Sequence, residues 1–219
     1  MIVSFSGIDS AGKSTQLDLL RAYCDKKRLR SVTKWSKARG TPLVVFLKRL
    51  VRRDGKMDDA GKREYREAFF ANPKKEKFLY RVSMLDLCWY WSIHYRLLNL
   101  THRYVFCDRY LWDTAVELQF DFPHVDLDKS VLWKLVRRLA AKPKVSFVFF
   151  VPAEVSLARD QQKNAAGIED IEIKKQKIAV YRAYAEKGCW TNVMDGLLPR
   201  EELHKQVLQA LGLEKGGDV

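Results

Sequence analysis

Gly7, Gly12, Lys13 and Ser14 occupy the fixed positions of a G-x-x-x-x-G-K-[ST] pattern, in the run Gly7-Ile8-Asp9-Ser10-Ala11-Gly12-Lys13-Ser14. Each residue type has a physical reason to stand there. Glycines let the backbone wrap closely around a phosphate, and successive N–H groups, including those of Ser10 and Ala11, then point inward as an anion nest. A helix beginning at the end of the run adds its positive dipole end to the same place. Lys13 would reach β- and γ-phosphates, the Ser14 hydroxyl would ligate Mg²⁺, and Thr15 would start the helix or touch an α-phosphate. The flanks agree: Ile2-Val3-Ser4-Phe5 reads as a short strand, and Thr15-Gln16-Leu17-Asp18-Leu19-Leu20 opens a helix. The chain is expected to bind a nucleoside triphosphate with Mg²⁺.

A second group of reactive side chains lies about ninety residues further on, in Val105-Phe106-Cys107-Asp108-Arg109-Tyr110. A carboxylate at the end of an apolar strand suits a Mg²⁺ shell, and Arg109 beside it could grip a second phosphate through two parallel N–H bonds. Taken alone, Asp-Arg-Tyr is also compatible with a surface ion pair, and Tyr110 with plain packing. Asp113 could touch an acceptor or a metal shell, or cap a following helix.

These side chains need a frame. Strands are expected at 2–6, 30–34, 104–108, 144–151 and 190–194. Helices are expected at 13–27, 43–53, 77–100, 129–141, 152–162, 172–186 and 200–211. Strands alternating with helices imply an α/β fold, with a mostly parallel sheet covered on both faces. Ligands then gather at the carboxyl ends of the strands, where both Gly7 and Asp108 fall. A length of 219 residues accommodates one domain, drawn at 1–213 with a tail at 214–219, and a polar break at 161–170 suits a lid. Trp89, Tyr90, Trp91 and Tyr95 could stack a base or sugar, or fill a core.

Composition narrows the class. The four cysteines lack metal-ligand spacing and read as reduced thiols of a cytoplasmic protein, and no apolar run is long enough to span a membrane. The net charge is +13, and residues 21–77 alone hold 19 Lys and Arg against 7 Asp and Glu. That excess suits a solvated face, a positive field around phosphates, or an anionic polymer. No nucleic-acid-binding motif accompanies it, so DNA or RNA is a minor option. The N-K-x-D element of switch GTPases is absent, which argues against a nucleotide-dependent regulator.

With these motifs in order, the chain resembles the thymidylate kinase family. Phe5 to Gln16 is similar to F-E-G-x-D-G-A-G-K-[ST]-T, and Asp108-Arg109-Tyr110 to the family's D-R-Y. Arg39-Gly40-Thr41-Pro42-Leu43 is a reduced form of R-E-P-G-G-T, and 151–159 is similar to the approach to the lid. The resemblance implies a three-layer P-loop kinase fold: a five-stranded parallel sheet flanked by helices, with a lid around 159–172. It implies transfer of the ATP γ-phosphoryl group to a nucleoside monophosphate, dTMP first, and a homodimer. By position, Asp9 would bind the acceptor's sugar hydroxyl, Arg109 would grip the acceptor phosphate, and Arg39, Asp108 and Tyr110 would line the acceptor. Lys13 would hold the transferring phosphoryl group, Ser14 the Mg²⁺ directly and Asp108 the Mg²⁺ through water. Arg159 would neutralise phosphate charge.

Three positions depart from the pattern. Ser10 is neutral where members carry a catalytic Arg in the loop, and 161–167 holds Lys163 but no Arg. Asp86, Leu87 and Cys88 stand where the base-reading Arg is expected, and Lys37-Ala38 lies where Glu-Pro would be. The donor half is intact and the acceptor half rewritten, so a kinase of a sugar, sugar phosphate or biosynthetic intermediate is the alternative.

Overall fold

The structure, a computed structural model, describes residues 1–35, 73–163 and 168–213. Two compact units divide the chain. The first comprises Met1–Trp35, Leu98–Val116 and the chain from Lys142 onward; the second comprises Ser36–Leu97 and Glu117–Ala141.

The first unit is a five-stranded sheet in which every pairing is parallel: β1 (Ile2–Ser6), β2 (Ser31–Trp35), β3 (Tyr104–Asp108), β4 (Val145–Phe150) and β5 (Asn192–Asp195), in the order β2-β3-β1-β4-β5. The expected α/β architecture is therefore present, with strand ends within two residues of expectation. Strands of a parallel sheet are covered on both faces and so lose the in–out alternation. All five residues of β1 are buried, and Phe5 stacks on Phe147 and Phe149 with ring centres 5.1 and 6.0 Å apart. Because β1 is central, paired with β3 through Phe5–Asp108 and with β4 through Ser6–Val148, the loops leaving these strands adjoin at one edge. Around the sheet run α1 (Lys13–Lys26), α6 (Ala153–Gln162), α7 (Ile171–Glu186) and α8 (Arg200–Ala210).

A long helical stretch, α2 (Pro73–Trp89) then α3 (Tyr95–Thr101), is joined by a π-helical turn at Tyr90–His94. Ser92 sits in that turn and donates its hydroxyl to the Cys88 carbonyl at 2.5 Å, a side chain competing for the helix ladder. Trp91 and Tyr95 are core residues, whereas Trp89 is exposed. Within the second unit, α2 is held by Tyr80, whose hydroxyl meets the Ser130 hydroxyl at 2.6 Å at the start of α5 (Val131–Leu139). Buried Glu76 meets the ring of His124 at 2.7 Å.

One helix lies outside the ranges expected above, anticipated only as the helix that Asp113 could cap: α4 (Leu111–Asp121), directly after Asp-Arg-Tyr. Its aromatic and β-branched content gives no strong helical signal. Polar composition predicts surface loops at 54–63 and 71–77; the helix expected at 43–53, the first of these loops and Arg39 lie outside the described residues, but from Pro73 the second is corrected to helix, because Pro73 suits a first helical position and Glu76 the first turn. Among the described residues, no helix is long and apolar enough to cross a membrane.

Candidate active site

The loop between β1 and α1 takes its shape from two glycines and two anchors. Gly7 has φ +131°, and a Cβ there would lie 2.5 Å from the Phe149 carbonyl oxygen, so both its conformation and its packing exclude a side chain. Gly12, at φ +99°, turns the chain into α1. Between them Ser10 is left-handed at φ 53°, an arrangement that a non-glycine residue keeps only under constraint. Lys13 is buried and folds back over the loop, donating to the carbonyls of Gly7 at 2.9 Å and Ile8 at 2.6 Å. Burial, then the nearby Arg109 charge, lowers its pKa from 10.5 to about 8, against the opposing pull of Asp113, Asp9 and Asp108. Ser14 is exposed at the opening of α1.

The turn after β3 meets this loop. Arg109, also left-handed at φ 68°, is buried and forms an ion pair with the half-exposed carboxylate of Asp9. Its backbone N–H donates to the Phe5 carbonyl at 3.0 Å, which fixes the turn against β1. Asp108, at the strand end, is partly buried, and loss of water pushes its carboxyl pKa up while Lys13 and Arg109 pull it down. Tyr110 is buried, and its amide donates to Asp113.

Asp113 is the hub that the sequence left open between acceptor, metal shell and cap. It is buried and accepts from the Ser6 hydroxyl at 2.5 Å, the Gly7 amide at 3.1 Å, the Tyr110 amide at 3.1 Å and the Tyr181 hydroxyl at 2.8 Å. Arg109 lies 3.8 Å away as a further cation. One carboxylate in the first turn of α4 thus ties the phosphate loop to the Asp-Arg-Tyr turn, and capping is part of what it does. The hint in the sequence was the one charged residue in the largely apolar run Leu111–Val116, four residues from Arg109.

The far side of the loop rests on α6 and on the segment after β5. Arg159 donates to the Ser10 carbonyl at 3.2 Å and to the Gly196 carbonyl at 3.2 and 3.3 Å. Gly196 has no room for a Cβ, which would sit 2.8 Å from the Ala11 carbonyl and 2.6 Å from Val151. Thr15 is exposed, and Gln16 beside it bonds the Arg200 carbonyl and His204, tying α1 to α8.

Of the residues singled out in the sequence, the first unit therefore gathers Gly7, Asp9, Ser10, Ala11, Gly12, Lys13, Ser14, Thr15, Asp108, Arg109, Tyr110 and Arg159. A glycine-shaped loop opening into a helix N-terminus, two buried cations and a hydroxyl with a carboxylate oxygen make a donor set for a polyphosphate and a hard divalent cation.

Comparison with known proteins gives the same direction. The model of the family described as "Thymidylate kinase" matches residues 5–207. The chain is 27% identical over 216 residues to a protein named "Thymidylate kinase" from Sulfurihydrogenibium sp. (strain YO3AOP1), with 95% of each chain covered. A family match that takes in the phosphate loop, the Asp-Arg-Tyr turn and α6 together places this chain in the thymidylate kinase family of ATP-dependent kinases.

Proposed function

We propose that this kinase transfers the γ-phosphoryl group of ATP to a nucleoside monophosphate, with dTMP as the first acceptor. The observation that carries the reading is the pairing of Asp9, in the donor loop, with Arg109, in the turn after β3. A phosphate-binding loop and a buried guanidinium then share one cluster, as transfer between two phosphate-bearing molecules requires. The family match and the relative named thymidylate kinase support a nucleotide acceptor over a sugar.

Phosphoryl transfer depends on positioning and charge more than on covalent chemistry. In this reading Lys13 exchanges its two backbone carbonyls for phosphate oxygens, and the amides of Ser10, Ala11 and Gly12 hold the remaining ones. Arg109 grips the acceptor phosphate, and Asp9 takes the acceptor's sugar hydroxyl. Ser14 and Asp108 would hold Mg²⁺, which supplies charge neutralisation at the phosphates when bound. Arg159 steadies the loop from behind while lending positive charge, and Tyr110 packs the acceptor turn.

The test is product analysis. Incubation with Mg·ATP and dTMP should yield ADP and dTDP in equal amounts. ADP without phosphorylated nucleotide would contradict the assignment.

A further inference from the structure

Behind the phosphate loop lies a polar network that neither the motif nor the proposed chemistry uses. Lys174, in the first turn of α7, is fully buried. Its ammonium donates to the Asp160 carboxylate at 2.6 Å and to the Ser156 hydroxyl at 2.9 Å, both on α6 and one turn apart. Each partner passes the connection to the loop. The other Asp160 oxygen accepts from the Ser10 hydroxyl at 2.6 Å, and the Ser156 hydroxyl donates to the Asp9 carbonyl at 2.7 Å. One lysine thus fixes two consecutive loop residues, the ion-pairing Asp9 and the left-handed Ser10.

Two physical points set this apart from general packing. A buried ion pair adds little net stability, because desolvation of both charges offsets their attraction. Its other contribution is geometric, since removing either partner leaves the second charge to rearrange. The loop tip, meanwhile, needs outside constraint, because a serine at φ 53° does not hold that conformation by itself.

We propose that Lys174 and Asp160 are positioning residues for the phosphate loop, setting the left-handed Ser10 and the Asp9 backbone so that the loop amides converge on a nucleotide phosphate. The proposal rests on the donor-site reading given above and deepens it. Asp160 acts through Ser10, and Lys174 acts through Asp160 and Ser156; neither touches nucleotide.

Calorimetric titration with Mg·ADP, accompanied by thermal melts, tests this without any acceptor. Lys174→Met should weaken binding about tenfold or more, as expected of a displaced binding loop. The double variant Lys174→Met/Asp160→Leu leaves no unpaired buried charge and guards against loss of folding in the single one. It should melt near the wild type and still bind weakly. Ser10→Ala should weaken binding in the wild-type background and add less than about twofold in the double variant, where the close Asp160 acceptor is gone and only the long, exposed Lys163 contact at 3.4 Å is left to the hydroxyl. Wild-type affinity in the double variant, or an equal Ser10→Ala effect in both backgrounds, would overturn the proposal. A wild-type chain that binds no Mg·ADP would overturn the donor-site reading itself, and the proposal with it.

Discussion

At the residue scale, Lys13 carries the sharpest consequences. Its ammonium lies folded onto two carbonyls in a buried position, so Lys13→Ala removes charge at the phosphates without opening a large cavity in the sheet. Turnover should fall at least a hundredfold, in line with loss of one preorganised charge, while circular dichroism and the melting temperature stay close to wild type. The depressed pKa of about 8 adds a pH signature. Phosphate favours the charged form, so Mg·ADP affinity should be level below that value and decline as pH climbs through it; Lys13→Ala should show no such decline. The linked stability has the opposite slope. The unfolded lysine holds its proton up to about 10.5 while the folded one has released it, so this residue makes folding more favourable as pH rises between the two values. Arg109→Ala should act on the other substrate, raising acceptor KM or lowering kcat well beyond any change in ADP affinity. A change confined to ADP would place Arg109 on the donor side.

At the element scale, the site is a junction of helix ends held by a few buried polar residues. Asp113 joins β1, the phosphate loop, the turn after β3 and α7 through four hydrogen bonds. Asp113→Ala should therefore destabilise the fold by about 3 kcal/mol in urea titration, the range for removing one partner of a buried charged network, and abolish turnover alongside. Loss of activity with unchanged stability would mean the carboxylate acts on substrate instead. The α7 helix reaches the site twice, through Lys174 and through Tyr181 seven residues later, which fall on one face two turns apart. Little of this was legible beforehand. The Gly and Lys positions of the loop announce themselves because their spacing is fixed by phosphate geometry. Asp113 stood out only with its role open, and Asp160 and Lys174 not at all, because a buried acid or lysine earns its place by partners distant in sequence: 107, 150 and 14 residues separate the bonded pairs Ser6–Asp113, Ser10–Asp160 and Asp160–Lys174. A lysine in a stretch rich in lysines reads as surface until the fold buries it.

At the scale of the whole chain, the five strands and their parallel order follow from short β-branched and aromatic runs spaced by amphipathic helices. The sequence reading located each strand for that reason. For α4 it offered no range, only a helix that Asp113 could cap, because Leu111–Asp121 mixes aromatic, β-branched and acidic residues whose helical state is decided by packing and by that cap. Nucleotide should stabilise the assembled fold: Mg·ADP at a hundred times its Kd should add about 2.7 kcal/mol, seen as a rise in melting temperature that Lys13→Ala abolishes. The acceptor pocket was the least legible part, since Asp86, Leu87 and Cys88 stand where a base-reading arginine was expected. The most direct test of the central claim is therefore ADP release from Mg·ATP against dTMP, the other nucleoside monophosphates, and a set of sugars and sugar phosphates, with Lys13→Ala as the blank. A nucleoside monophosphate should turn over, dTMP foremost. Turnover of a sugar or sugar phosphate with none of any nucleotide would contradict it.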